Sequence, residues 1–313
     1  MLKPIVVVGS ANIDLVCTAK RIPVPGETIT GNLFRIFHGG KGANQAVAAA
    51  RLGYPVRMVA KVGDDEFGQR LRKGLESECV DVEYVTTAKV SSSGVALIST
   101  DHYGHNTIVV IPGANGRLLP VDLQKALPAL RSAGLILTQL ETPLRTVRFL
   151  AHVAERFNIP LMLDPAPARR LPSSLVKLVT YLSPNETEAC ILSGIPAHAL
   201  NRAEIVRIAQ RLTNRGARNV IVKMGERGVC VAEEGGRTTF LKAFKVRAVD
   251  STAAGDAFNA GLAVALMQGK RLSDAGQFAA AVAALSVTRM GAQPSMPRAP
   301  EVNRFLKKHG FGV

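Results

Sequence analysis

Short apolar β-branched runs alternating with amphipathic helical stretches constrain this chain more than any other feature. Ile5–Val8 is strand-like, Ala43–Leu52 helical, Val56–Val62 strand-like and Glu66–Glu78 amphipathic again. The pattern resumes with Leu135–Leu137 as strand, Leu144–Phe157 as helix, Leu161–Leu163 as strand, Glu204–Arg215 as helix and Asn219–Lys223 as strand. Strands separated by helices pair in parallel and are covered on both faces, because each helix carries the chain back across the sheet. The fold class predicted is therefore α/β, a mostly parallel central sheet with helices on both faces, in a single domain over 1–313. Ligands of such sheets collect outside the carboxyl ends of the strands.

Two regions break the alternation. Leu15–Ala19 and Ile29–Phe37 are extended patterns joined by the turn Pro23-Val24-Pro25-Gly26, while Gly94–Ser99 and Thr107–Ile111 flank a polar loop at 101–106. So few strands cannot bury a core of their own, so segments 15–37 and 94–111 are expected to form a small β lid or a contact with another chain. A pair of ordinary surface hairpins is the competing reading.

With 39 Lys and Arg against 24 Asp and Glu, the formal charge is +15, which raises nucleic acid as a partner. The distribution speaks against it, since the basic residues are scattered and form no arm or aromatic-interleaved stripe. A run of eighteen apolar residues is absent, as is a charged segment leading into an apolar one, so the expectation is a cytosolic protein with no membrane partner. Cys17, Cys79, Cys190 and Cys230 stand apart without metal-ligand spacing, and read as buried reduced thiols.

Two clusters carry chemistry. In Asp250-Ser251-Thr252-Ala253-Ala254-Gly255-Asp256 a strand-like stretch runs into an apolar helix through small residues. Free N–H groups at a helix start suit a phosphate, and Asp256 in the first turn could take a proton from an attacking hydroxyl. It could equally be a plain helix cap. In His38-Gly39-Gly40-Lys41-Gly42-Ala43-Asn44 the glycines allow close approach to a small polar ligand, Lys41 brings charge, and Asn44 offers a donor and an acceptor to neighbouring hydroxyls. A flexible turn ahead of a helix would look the same. Asn12 and Asp14 directly follow the first strand, where ligand loops or simple turns belong. No P-loop, complete G-x-G-x-x-G, H-E-x-x-H, G-x-S-x-G or protein-kinase signature occurs.

Taken together, Gly-Gly-Lys-Gly-Ala-Asn-Gln at 39–45 and Asp-x-Thr-x-Ala-Gly-Asp at 250–256 resemble the two signatures of the ribokinase family of carbohydrate kinases. Pro-Gly-Glu-Thr at 25–28, Gly-Asp-Asp at 63–65, Asp164-Pro165-Ala166-Pro167-Ala168 and Pro-Asn-Glu-Thr-Glu at 184–188 extend the likeness over almost the whole chain. The resemblance implies an ATP-dependent sugar kinase that converts D-ribose to ribose 5-phosphate, with deoxyribokinase or another pentose or nucleoside kinase as the alternative. By the same likeness, Asn12, Asp14, Gly40, Lys41, Gly42, Asn44 and Glu141 would hold the sugar. Asp256 would be the base, and the N–H groups of Ala253, Ala254 and Gly255 the anion hole. On the nucleotide side, Asn185 would meet phosphate, and Lys223, Gly225, Glu226 and Gly228 would border the adenosine. Glu188 would hold Mg²⁺ through water, while Asp250, Thr252, Ser286, Arg289, Gly291 and Ser295 would line a K⁺ site. A homodimer through the β lid is implied as well. Three departures stand out: Lys223 where Thr is frequent, Ala280 in place of a larger residue beside the adenine, and Asp164 where Asn is frequent. The first two bear on the grip on ATP.

Overall fold

The run Ile5–Val8 forms strand β1, and its side chains enter two different cores, Ile5 and Val7 on one face and Val6 and Val8 on the other. That two-sided burial explains why the strand is apolar without alternation. The computed structural model describes residues 2–312, so both ends of the predicted 1–313 domain lie outside the described residues. Along the chain follow β2 (Asn12–Thr18), β3 (Leu33–Gly39), β4 (Val56–Gly63), β5 (Asp81–Ala88), β6 (Gly94–Thr100) and β7 (Asn106–Ile111). The later strands are β8 (Leu135–Thr138), β9 (Leu161–Leu163), β10 (Tyr181–Leu182), β11 (Asn219–Lys223), β12 (Val229–Ala232) and β13 (Thr238–Leu241).

The central sheet has nine strands in the order β13-β12-β11-β10-β9-β8-β1-β4-β5, parallel from β11 to β5 and antiparallel only at β11–β12 and β12–β13. The α/β fold with a mostly parallel sheet is thus as the alternation predicts. Helices Lys41–Arg51, Ala254–Met267 and Leu272–Ser286 cover the face that takes Ile5 and Val7, and helices Leu144–Arg156 and Arg202–Asn214 cover the other. Among the described residues no helix is long and apolar enough to cross a membrane.

A separate four-stranded sheet, order β3-β2-β6-β7, contains the extra strands. Its bounds differ from those expected. β2 begins at Asn12, so Asn12 and Asp14 lie on a strand of this sheet rather than in a loop after β1, paired with Gly39 and Phe37 on one side and Gly94 and Ala96 on the other. Residues Ile29 to Asn32 stay outside any strand. At the edge, β7 is exposed along its whole length although it reads Asn-Thr-Ile-Val-Val-Ile.

Candidate active site

Both sequence clusters open onto one cavity of about 1200 Å³ at the carboxyl ends of the central strands, beneath the small sheet, whose Ala96, Ile98, Ile108 and Val110 form part of the wall. Asn12, Asp14, Gly40, Lys41, Asn44 and Glu141 line one part, and Asn185, Glu188, Lys223, Gly225, Glu226 and Gly228 another, with Ala253, Ala254, Gly255 and Asp256 on the same wall. Gly42 lies off the cavity. A Cβ there would meet the backbone of Gly9 and Ser10 at 2.7–2.8 Å, so this glycine allows close packing of the first helix against the strand end.

Asp256 sits in the first turn of Ala254–Met267, 4% exposed. Its Oδ2 accepts from Asn44 Nδ2 and its Oδ1 from Gln45 Nε2, both at 2.9 Å. Burial pushes its pKa up to about 6; the Lys41 ammonium opposes this, Asp164 reinforces it, and the two amide donors again hold it down. That places the carboxyl group near neutrality, where a general base works best. Asp14 is raised further, to about 7, by burial first and then by Glu141 and Asp256. Burial would lower the Lys41 ammonium, but Asp256, Asp164, Glu141 and Glu188 outweigh it and hold the group firmly protonated.

Sequence reasoning gave Gln45 no role, although it ends the quoted 39–45 stretch. Its single amide nitrogen donates to Asp256 Oδ1 and to Asp164 Oδ2, both at 2.9 Å, while its oxygen accepts from Gln139 Nε2 at 2.5 Å. Every polar atom of the side chain is engaged, which fixes the carboxylate of Asp256 from behind the cavity wall. We predict that Gln45→Leu lowers kcat roughly 10- to 10²-fold with little change in sugar KM, and moves the acid limb of the rate profile to higher pH. An unmoved limb would count against this role. Two further residues escaped notice. Asn115 holds Asn12, donating to its Oδ1 at 2.7 Å, and Ser10 donates to Glu141 Oε2 at 2.5 Å; both depend on contacts more than a hundred residues apart in sequence.

At the helix start Ala253 has a left-handed backbone (φ 58). The N–H of Ala254 donates to Ser251 O at 3.2 Å, whereas those of Ala253 and Gly255 have no acceptor among the described residues. Of the three amides expected to form an anion hole, two are therefore uncommitted. Asn185 caps the helix Glu186–Ser193 and exchanges hydrogen bonds with Glu188, whose carboxyl pKa is raised by burial and by Asp164 against Lys223, the Asn185 N–H and Lys41. Ala280 lines the cavity too. In the cluster expected to bind K⁺, only Thr252 reaches the cavity wall. Asp250 ties its two loops together by accepting from Thr252 N and Gly291 N, each at 2.8 Å. The hydroxyls of Ser286 and Ser295 donate to their own turns, at 2.8 Å and 2.7 Å, and Arg289 pairs with Glu301.

Comparison with known proteins agrees with this geometry. The model of the pfkB family carbohydrate kinases matches residues 2–299. A ribokinase of Haemophilus influenzae is 38% identical over 98% of this chain and 99% of its own length, and a deoxyribokinase of Salmonella typhi is 39% identical over 96% and 98%. The structure of Arabidopsis thaliana ribokinase complexed with ribose and ATP superposes with a TM-score of 0.92 at 34% identity, over 98% of this chain and 99% of that one. With a raised carboxylate and open amides facing one cavity and a family match spanning nearly every residue, the chain belongs to the pfkB family of carbohydrate kinases and is an ATP-dependent sugar kinase.

Proposed function

We propose that the enzyme transfers the γ-phosphoryl group of ATP to the 5-hydroxyl of D-ribose, giving D-ribose 5-phosphate and ADP. The observation that carries this reading is the buried carboxylate of Asp256, raised to about 6, between a part of the cavity lined with polar groups and a part that borders a helix start. Asn44 adds to it: its Oδ1 is buried without a hydrogen-bond partner among the described residues, and an unsatisfied acceptor of that kind calls for a donor such as a sugar hydroxyl. In this reading Asn12, Asp14, Lys41, Asn44 and Glu141 grip the hydroxyls. Asp256 accepts the proton of the 5-hydroxyl as its oxygen attacks the γ-phosphorus, and the free N–H groups of Ala253 and Gly255 meet the charge on the transferring group.

The carboxylates of Asp14, Glu141, Asp164, Glu188, Glu226 and Asp256 line this cavity together with the cations Lys41, Lys223, Arg227, Lys242 and Lys245. Phosphates placed beside Asp164 and Glu188 would add to the negative charge there, which a cation bound with the nucleotide would offset. Glu188 lines the cavity beside Asn185, where its carboxylate could hold an ion bound mainly by phosphate and water. Bound there, Mg²⁺ would offset the phosphate charge. In this reading the two loops that Asp250 ties together would hold K⁺ through their oxygens, with Thr252 linking them to the helix start. The small sheet acts as a lid in this reading, and its exposed Phe34, Leu97, Val109 and Ile111 make it the face of a homodimer. Cys190 and Cys230 are buried, whereas Cys17 and Cys79 are exposed rather than buried as expected; all four are free thiols, which accords with a cytoplasmic setting.

A coupled ADP-release assay across ribose, 2-deoxyribose, fructose and adenosine tests the sugar. We expect ribose to give the highest kcat/KM, chelation of divalent ions to abolish turnover, and replacement of K⁺ by Na⁺ to slow it. A deoxyribokinase is as similar to this chain as a ribokinase is. Equal or better use of 2-deoxyribose would therefore transfer the assignment, because only a site built to bond the 2-hydroxyl rejects its loss strongly.

A further inference from the structure

We infer that Lys223 acts on the terminal phosphates of the nucleotide rather than on its adenosine, and that Asp164 holds it in place for that task. The inference rests on the phosphotransfer reading but not on which sugar is used. Lys223 ends β11, where its N–H donates to Pro184 O at 2.8 Å and its backbone bridges to Asn185. From there the side chain runs toward the helix start. Its Nζ lies 3.6 Å from where a Cβ on Gly255 would sit, so the ammonium is beside the first turn of the helix whose Gly255 N–H is uncommitted.

The partner of this ammonium is buried. Lys223 Nζ donates to Asp164 Oδ1 at 3.1 Å, with the two side chains 12% and 3% exposed. Asp164 Oδ2 in turn accepts from Gln45 Nε2, the group that also holds Asp256. The two departures from the family pattern noted at 164 and 223 thus meet as one ion pair. Burying such a pair brings little stability, because desolvation offsets the attraction. Positioning explains it better. An ammonium carries three donors, and this one spends a single hydrogen bond among the described residues while lining the cavity. Asp164 keeps the charge at the junction of base and anion hole, and the remaining hydrogens are available to phosphate oxygens. A cation at that point would favour the transferring group as negative charge spreads over its oxygens.

The test compares binding of a non-hydrolysable ATP analogue, ADP and AMP, each with Mg²⁺, by calorimetry on the whole protein. Lys223→Met should weaken the ATP analogue roughly 10- to 10²-fold while leaving AMP within about twofold. Because that variant leaves Asp164 buried without its partner, the double variant Lys223→Met, Asp164→Asn removes both charges. Its loss toward the ATP analogue should persist. Equal weakening of all three nucleotides would return Lys223 to the adenosine. Recovery of the ATP analogue in the double variant would show that only the stranded carboxylate was at fault, and unchanged binding throughout would overturn the inference. Since these readouts need no sugar, they stand apart from the outcome of the sugar assay.

Discussion

Asp256→Asn is expected to lower kcat by roughly 10²- to 10⁴-fold while sugar affinity stays close to that of the unaltered enzyme. The loss follows from removing the proton acceptor, since an amide keeps the shape of the carboxyl group but not its basicity. Unchanged turnover would reject Asp256 as the base. The unaltered enzyme should also lose activity as pH falls through about 6, where Asp256 takes up its proton. Stability gives a second reading with its own sign. The folded pKa lies above the ordinary aspartate value of 3.8, so the folded state binds more protons than the unfolded one between the two values. This group therefore costs stability fully above pH 6 and progressively less as pH falls toward 4. Asn at 256 has no such dependence. The melting temperature of the variant relative to the parent should accordingly be more favourable at pH 8 than at pH 4.5, a comparison that scanning calorimetry makes directly.

Gly40→Ala should be the most damaging single change in the sugar-side motif. Gly40 has φ 85 and ψ 129, a conformation that disfavours any residue with a side chain. An added Cβ would also lie 2.7 Å from Asn12 N and 2.8 Å from Ala11 Cα, both backbone atoms that cannot swing away. Strain and overpacking together should cost ~3 kcal/mol or more. They would also push apart the two elements that carry Asn12 and Lys41, so kcat/KM for the sugar should fall by at least about 10²-fold. Gly53→Ala is the control. It has a similar φ of 81 with nothing within 4 Å of the added carbon, and should cost only about 1 kcal/mol with activity retained. Equal effects of the two substitutions would remove the argument from close approach.

The fold was readable wherever a strand is buried on both faces, as in Ile5–Val8, or a helix shows one apolar stripe, as in Leu144–Arg156. It was least readable at β10, whose two residues carry no period, and at β5, where Asp81, Glu83 and Thr86 interrupt the apolar pattern at a sheet edge. The site divides in the same way. Asp256, Lys41 and Asn44 lie in compact stretches that announce themselves by spacing, and the cavity gathers them. Gln45, Gln139, Asn115 and the pairing of Lys223 with Asp164 depend on contacts across 59 to 211 residues. No local pattern encodes such partners, and only the folding of the parallel sheet brings them together.

Because Asn44 and Gln45 are neighbours in one helical turn, the proposed roles of Asn44 in ligand choice and of Asp256 in chemistry share one mechanical mount. Libraries that vary residue 44 to broaden the range of sugars should lose turnover along with selectivity. Changes on the β6 and β7 wall, at Ala96, Ile98, Ile108 or Val110, leave that mount untouched and are the better starting point for redesign.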